Sequence, residues 1–274
     1  MSCLNCLNGR APIRIFRRGN LDLFKLIDTH AHVSDLDNPV EALERAKAAG
    51  VGAILAVGAD METCKATLEL ASTFPGYIYP ALGIHPTEIV VQEIPETVRF
   101  IEENIEKCTA IGEIGLDYWS REARKNKEIR DLQRDLYIKQ LRIASEMDKP
   151  VSIHARGSWR DALDIVKTHG PGRGVFHWYS GPLDILKEIL DSGYYISATI
   201  AAEYSKEHRA ALTYAPLERI LIETDSPVIY RGSPSEPADL VRTLKALSEL
   251  KGLPLEDVAQ ATTRNAQKLF KIRI

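Results

Sequence analysis

The sequence predicts an α/β fold, a (β/α)8 TIM barrel with an extra C-terminal helix and a short N-terminal extension. From about residue 22 onward, short apolar runs alternate with longer amphipathic runs, as in consecutive βαβ units. Eight such apolar runs occur, which favours closure into a barrel. An open doubly wound sheet usually carries a glycine-rich phosphate loop after its first strand, and the sequence has none there.

The eight predicted strands have β-branched or apolar interiors such as AILAV and ILIET. Residues of this kind on both faces are typical of parallel strands that helices cover. In chain order the predicted strands are Leu23–His30, Val51–Gly58, Tyr77–Ile84, Thr109–Leu116, Val151–His154, Gly174–His177, Tyr194–Ala198 and Arg219–Thr224.

Nine helical patterns alternate with these strands and follow the last of them. The first has Asn38 as its expected N-cap and proline in its first turn, and Pro150 terminates the long fourth one. The predicted helices are Pro39–Ala49, Glu62–Thr73, Pro95–Lys107, Asn126–Met147, Trp159–Thr168, Leu183–Asp191, Lys206–Ala215, Pro237–Lys251 and Pro254–Phe270. The last lies outside the eightfold repeat and is the extra helix.

Length and composition indicate one globular domain. The chain has 274 residues, of which 45% are hydrophobic and 27% charged, close to an average soluble protein. We expect the barrel over residues 22–274 and a loosely ordered extension over residues 1–21. Cys3 and Cys6 form a C-x-x-C in that extension, where a metal or redox role is the alternative to a simple tail. Cys64 and Cys108 lie in apolar helical context and are expected to be packed thiols.

Charge and hydropathy limit the partners. The net charge is −3, so no bulk positive field attracts nucleic acid or an anionic membrane, although a local basic rim is compatible with it. No segment approaches the roughly 18 apolar residues of a membrane span. The first twenty residues lack the hydrophobic core of a secretory signal. We therefore expect a cytoplasmic protein with no membrane partner; its oligomeric state stays open.

Scarce titratable residues fall at the ends of the predicted strands. Five of the seven histidines and two acidic residues do so: His30, His32, His85, Glu113, His154, His177 and Asp225. The carboxyl ends of all strands of a barrel converge on one mouth, where active sites form. The sequence therefore predicts a metal site there.

Each motif also has a simpler interpretation. His30 and His32 are spaced to point to one side of a strand, which suits Zn²⁺, Mn²⁺, Ni²⁺ or Fe²⁺ better than Mg²⁺, but a strand-end pair can also cap backbone groups. Asp28 is expected to orient a ligand. Glu113 is costly in an apolar strand unless it is coordinated or paired, and Arg156 is the alternative partner. For Asp225 the alternative is a turn aspartate.

The motifs, in order, resemble those of a known family. H-x-H, GIHP, GEIGLD, IHAR, FHWYSG, IETDSP and the terminal TTRNAQKLF are similar to the TatD-like hydrolases of the amidohydrolase superfamily, from about residue 25 to residue 270. The resemblance implies two divalent ions whose identity (Zn, Mn, Mg, Ni or Fe) it does not distinguish. The implied ligands are His30, His32 and Asp225 for one ion, His154 and His177 for the other, and Glu113 between them. SATIAAEYSKEH after strand seven and Ser235 in RGSPSEP depart from the family pattern.

The expected function is a metal-dependent hydrolase, a phosphodiesterase or deoxyribonuclease acting on DNA ends or damaged DNA through a metal-activated hydroxide. Asp225 is the expected proton acceptor, with Glu113 as the bridging catalytic carboxylate. Arg156 is expected to hold a phosphate and His85 to contact a substrate oxygen. The alternatives are hydrolysis of a small ester or amide, including aminoacyl-tRNA editing, and a non-catalytic, metal-stabilised binding barrel.

Loop residues near Glu113 have two interpretations. The basic residues are expected either to meet a DNA backbone or to form a solvated loop, and the aromatic residues either to stack on bases or to pack. The basic residues are Arg121, Arg124, Lys125 and Lys127, and the aromatic ones are Tyr118, Trp119 and Tyr179.

Overall fold

A computed structural model describes residues 25–274 and confirms the TIM barrel. The eight strands pair in parallel, in sequence order, in one sheet. They are β1 (Leu26–Ala31), β2 (Val51–Val57), β3 (Ile78–Leu82), β4 (Ala110–Asp117), β5 (Val151–Arg156), β6 (Gly174–Phe176), β7 (Tyr195–Ala198) and β8 (Ile220–Ile222).

A helix follows each strand, and a ninth closes the chain. The helices are α1 (Pro39–Ala48), α2 (Met61–Thr73), α3 (Ile94–Asn104), α4 (Lys127–Glu146), α5 (Trp159–His169), α6 (Leu183–Asp191), α7 (Lys206–Tyr214), α8 (Leu240–Lys251) and α9 (Leu255–Phe270). Local chemistry sets several of these ends. The Asp60 carboxylate caps α2 by accepting from the Thr63 amide, and the Asn126 side chain accepts from the amide of Glu128 at the start of α4.

The first and last strands meet at a seam. The amide of Asp225 donates to the carbonyl of His30 at 2.9 Å, and the Thr29 hydroxyl donates to the carbonyl of Ile222 at 3.0 Å. The buried Asp28 carboxylate accepts from the hydroxyl of Thr224 at 2.6 Å. The two ends of the sheet are therefore joined through side chains as well as through the backbone.

Two apolar clusters form the core of the barrel. The larger cluster packs outward-facing strand residues against the surrounding helices. The second contains alternate residues of β2 (Ala53, Leu55 and Val57) together with Leu269 and Phe270 at the end of α9. The extra helix predicted from the sequence thus completes the core.

Some boundaries differ from the sequence prediction. The predicted helix 237–251 begins as a short 3-10 turn, Pro237–Asp239, before α8. The loop after β8 contains an unpredicted hairpin, β9 (Ile229–Tyr230) with β10 (Ser233–Pro234).

Cys64 and Cys108 are buried and free, as expected. The predicted extension, with its two cysteines, and the first residues of the predicted first strand lie outside the described residues. No helix within residues 25–274 is long and apolar enough to cross a membrane.

A buried histidine on α7 gives the barrel a dependence on pH. His208 accepts a hydrogen bond from the Thr199 amide at 3.1 Å through Nε2, and its Nδ1 lies 2.8 Å from the Tyr179 carbonyl. Both contacts are satisfied by a neutral ring, and burial lowers the pKa of His208 from 6.5 to about 4. Protons therefore bind the unfolded chain more readily than the folded one between these two values.

We expect His208 to destabilise the fold as pH falls. The free energy of unfolding is unaffected by this histidine above pH 6.5 and decreases as pH falls from there to about 4. At pH 5 the decrease is about 2 kcal/mol. Urea unfolding of the parent and of His208→Gln at pH 7 and pH 5 measures this. The parent should lose more stability than the variant, and equal losses would contradict the assignment.

Candidate metal centre

The predicted site residues come together at the carboxyl ends of the strands. All of them except the fully buried His30 line a cavity of about 850 Å³, within the range of ordinary ligand sites. Glu113 lies in the middle of β4 and His154 near the end of β5, and His177 directly follows β6. Asp225 lies three residues beyond β8, where its own amide is tied to the His30 carbonyl. The barrel topology therefore converts residues that are distant in sequence into one cluster.

The Glu113 carboxylate stands at the centre of five imidazoles. It is 2% exposed, and each of five histidines places a ring nitrogen within 3.3 Å of one of its oxygens. The five are His30, His32, His85, His154 and His177. Among residues 25–274, Glu113 forms ion pairs with histidines alone. Arg156, the alternative partner considered from the sequence, pairs with Asp117 instead.

The two oxygens of Glu113 face different histidines. Oε2 lies 3.2 Å from Nε2 of His30 and 3.3 Å from Nε2 of His32. Asp225 Oδ1 lies 3.6 Å from each of those two nitrogens. We call Glu113 Oε2, His30, His32 and Asp225 the first half of the centre.

The other oxygen serves the second half of the centre, which we define as Glu113 Oε1, His154 and His177. Oε1 lies 2.7 Å from Nδ1 of His154 and 2.6 Å from Nε2 of His177. Those two nitrogens are only 3.2 Å apart. Two imidazole nitrogens directed at one carboxylate oxygen in this way are suited to a shared cation.

The donor set fits divalent metal. Groups that combine His30, His32 and Glu113, or His85, Glu113 and His154, bring their donor atoms within 4.8 Å of one another. Burial alone would raise the pKa of Glu113, but the nearby imidazoles outweigh it and hold that pKa well below its usual range. Burial lowers the pKa of His177, yet the Glu113 charge raises it well above its ordinary value. The cluster thus stabilises added positive charge, which protons or metal ions supply.

Three residues without a predicted role hold the outer sides of the histidine rings. His30 Nδ1 lies 3.0 Å from the Ser152 hydroxyl, and His154 Nε2 lies 3.1 Å from Asp117 Oδ2. His177 Nδ1 lies 3.4 Å from the buried carboxylate of Glu223, close enough for an ion pair but without a hydrogen bond. Hydrogen-bond partners such as Ser152 and Asp117 fix which ring nitrogen carries the proton and leave the other free to coordinate. Asp117 and Glu223 lie in the motifs GEIGLD and IETD, which were the available sequence signal.

We expect Asp117→Asn to weaken the second half of the centre. An amide in place of the carboxylate loses the charge that keeps a proton on the far nitrogen of His154, so metal affinity should fall by about 10- to 100-fold. Competition with a fluorescent chelator measures the affinity. Asp161→Asn is the matched control, because Asp161 pairs with Arg134 and does not line the cavity. An unchanged affinity in Asp117→Asn would argue against this role.

Arg156 and His85 both line the cavity. The Arg156 guanidinium pairs with Asp117 Oδ2, with Nε and Nη2 both at 2.8 Å, while half of its side chain stays exposed. His85 Nε2 lies 3.3 Å from Glu113 Oε1, and its Nδ1 lies 2.7 Å from the Thr87 hydroxyl. Asp28 accepts from the backbone amide of His30 at 3.3 Å, so it positions His30 through the backbone.

Most of the predicted loop contacts lie elsewhere. The four loop basics are exposed and do not line the cavity, and Lys127 pairs with Asp131 at 2.5 Å. Tyr179 is buried, and its hydroxyl donates to the Pro182 carbonyl. The Tyr118 hydroxyl donates to Asp161. Of the three predicted aromatic residues, only Trp119 lines the cavity.

The loops that depart from the expected motif pattern also contribute to the cavity. Ala201 and Tyr204 follow β7, and Val228 and Ile229 follow β8; all four line the cavity. Ser235 does not, since its hydroxyl and amide both donate to the Val228 carbonyl and close the hairpin.

Comparison with known proteins finds relatives that match nearly the whole chain. A family model described as TatD related DNase matches residues 27–271. The metal-dependent hydrolase YabD of Bacillus subtilis is 33% identical over 264 residues, which cover 90% of this chain and 99% of that protein. Human deoxyribonuclease TATDN3 is 28% identical, covering 89% of this chain and 94% of its own. The crystal structure of YJJV, a TatD homologue from Escherichia coli K12, matches with a TM-score of 0.81 at 30% identity, covering 90% and 98%.

Proposed function

Because this chain belongs to the TatD-related DNase family of metal-dependent hydrolases, we propose that it is a phosphodiesterase acting on DNA ends or damaged DNA. One observation carries the proposal: the Glu113 carboxylate offers one oxygen to each half of the centre. A shared carboxylate of this kind suits two-metal sites, which hold both the attacking and the leaving oxygen of a phosphodiester.

The proposed ligands are those of the two halves of the centre: His30, His32 and Asp225 for one ion, and His154 and His177 for the other, with Glu113 shared. Divalent ions, when bound, lower the pKa of water and neutralise the charge that develops on phosphoryl oxygens. The outer hydrogen bonds of Ser152 to His30 and of Asp117 to His154 support this assignment, because they leave the inner ring nitrogens free to coordinate.

Asp225 is the proposed proton acceptor. Its side chain is 7% exposed, lines the cavity, and approaches His30 and His32 only at 3.6 Å. Its carboxylate can therefore take a proton from the attacking water and return it to the leaving oxygen. His85, whose Nε2 faces Oε1 of Glu113, is proposed to contact a non-bridging substrate oxygen.

Arg156 is the proposed phosphate-binding side chain. Asp117 holds Nε and Nη2, which leaves Nη1 directed away from the ion pair and the side chain half exposed at the cavity. A guanidinium fixed on one edge can donate to a phosphate with the other. The remaining charged lining residues beyond the centre, Asp35, Glu88 and Glu207, are acidic. This distribution favours one phosphate group at the centre over a long polyanion lying along the cavity, which agrees with action at DNA ends.

The test is a substrate panel with metal-loaded protein. Single-stranded oligonucleotides labelled at either end should be shortened progressively from one end, and a chelator should abolish the reaction. Bis(p-nitrophenyl) phosphate should also be cleaved, whereas aminoacyl-tRNA and small lactones should not. Cleavage of the esters in the absence of any oligonucleotide cleavage would overturn the proposal.

A further inference from the structure

Trp119 is an exposed aromatic residue at the rim of the cavity. It directly follows Tyr118 after β4, is 53% exposed, and lines the same cavity as Glu113. A single exposed aromatic residue is ordinary on a protein surface, so the place of this one at the cavity is what matters. Its position beside the centre makes the substrate a natural partner.

The ring is held in place from behind. A Cβ built on Gly157 would stand closer than 3.0 Å to Cγ, Cδ1 and Nε1 of Trp119. Near-equal separation from three adjacent ring atoms places the Gly157 backbone against a face of the indole. Trp159 packs edge-on against the same ring, with centroids 5.3 Å apart. The Gly157 backbone therefore supports one face of the ring, while 53% of the residue stays exposed.

Asp117 connects this ring to the proposed phosphate-binding arginine. Its Oδ1 accepts from the backbone amide of Trp119 at 3.0 Å, while its Oδ2 accepts from Arg156 at 2.8 Å. The same Oδ2 lies 3.1 Å from His154 of the second half of the centre. A single carboxylate thus holds the backbone of Trp119, the Arg156 guanidinium and His154 relative to one another.

The other aromatic residues that line the cavity are less available for stacking on a substrate. The Arg231 guanidinium lies 4.5 Å from the ring centroid of Tyr204, so it covers one face of that ring. Trp178 packs against Tyr230 with centroids 5.3 Å apart and is half-buried. At 53% exposed, against 39% for Tyr204, Trp119 is the most exposed of these three rings, and it is the one that Asp117 connects to Arg156.

We infer that Trp119 stacks on the nucleobase of the terminal nucleotide, whose phosphate lies at Arg156. A nucleotide carries a phosphate and a flat ring joined by a sugar, which matches the guanidinium and indole that Asp117 holds together. Stacking on a ring face tolerates every base, so the site should read the presence of a base and not its identity. The inference rests on the proposed function and adds the residue that recognises the substrate.

The experiment compares two oligonucleotides that differ only in the terminal nucleotide, which carries a base in one and is abasic in the other. For the parent, kcat/KM should be about 5- to 100-fold lower on the abasic end, the range that one base stack supplies. In Trp119→Leu the two substrates should be cleaved equally, and Trp119→Phe should retain most of the difference. Tyr214→Leu is the matched control, because Tyr214 is 46% exposed but lies outside the cavity.

A binding measurement completes the test without turnover. In an Asp225→Asn background, terminal 2-aminopurine fluorescence should be quenched on binding, and adding Trp119→Leu should remove that quenching. A parent that cleaves both oligonucleotides equally would overturn the inference alone, even if the Trp119 variants failed to fold. A parent that cleaves neither would overturn the proposed function, and the inference with it.

Discussion

Glu113→Gln is expected to lower kcat/KM by about 1,000-fold and to leave the fold intact. The glutamine keeps the volume of the side chain but removes the charge that both halves of the centre share. Loss of charge stabilisation by several kcal/mol corresponds to this factor. Elemental analysis of the variant should find fewer ions than the two per chain expected for the parent. Far-ultraviolet circular dichroism should be unchanged.

Glu88→Gln is the matched control for that experiment. Glu88 lines the same cavity, but its carboxylate accepts from the Thr87 hydroxyl and lies outside the imidazole cluster. The same chemical change there should alter kcat/KM by less than about threefold, as for surface substitutions away from such features. If Glu113→Gln kept the activity of the parent, the shared carboxylate would have no role in the reaction.

Removing metal is expected to lower the melting temperature of the protein by about 10–20 °C. Free ion at a hundredfold excess over its Kd stabilises the fold by about 2.7 kcal/mol per site, so two sites contribute about 5 kcal/mol. For a chain of this size, each kcal/mol shifts the melting temperature by about 2–4 °C. Calorimetric scans of chelator-treated protein, with and without added Zn²⁺ or Mn²⁺, measure the shift.

Two variants distinguish stabilisation by metal bound at the centre from nonspecific stabilisation by metal. Glu113→Gln should lose most of the metal-dependent shift, because both halves of the centre depend on its carboxylate, whereas Glu88→Gln should keep it. A melting temperature that did not respond to metal, together with an ion count of zero, would contradict the assignment of these residues as ligands.

The sequence predicted the barrel and placed the site residues because both follow from periodicity. Alternating apolar runs predicted the strands, and the ends of parallel strands converge, so residues as distant in sequence as His30 and Asp225 were predicted to lie at the same end of the barrel. Contacts between strands do not follow from periodicity. Asp117 and Glu223 therefore had no predicted role, and Arg156 had no predicted pairing with Asp117.

Loop conformation was the other feature that the sequence did not predict. The β9–β10 hairpin and the position of Ser235 depend on turn geometry after a short strand. The exposure of Trp119 depends on the backbone of Gly157, which has a φ of +70° and belongs to a different loop. A periodic pattern in one segment carries no information about the backbone of another, so the substrate-facing details required the structure.

Because the first and last strands meet at the seam, the two halves of the centre should form at different stages of folding. Its partners Thr29 and Ile222 are 193 residues apart in the chain. The second half of the centre draws on β4, β5 and the residue after β6, which are neighbours in sequence, whereas the first half needs both ends of the chain. Closing the longer loop costs more entropy and takes longer. We expect a refolding chain to capture its first ion at the second half and its other ion only when the barrel closes, which stopped-flow refolding with a metal indicator would resolve as two phases.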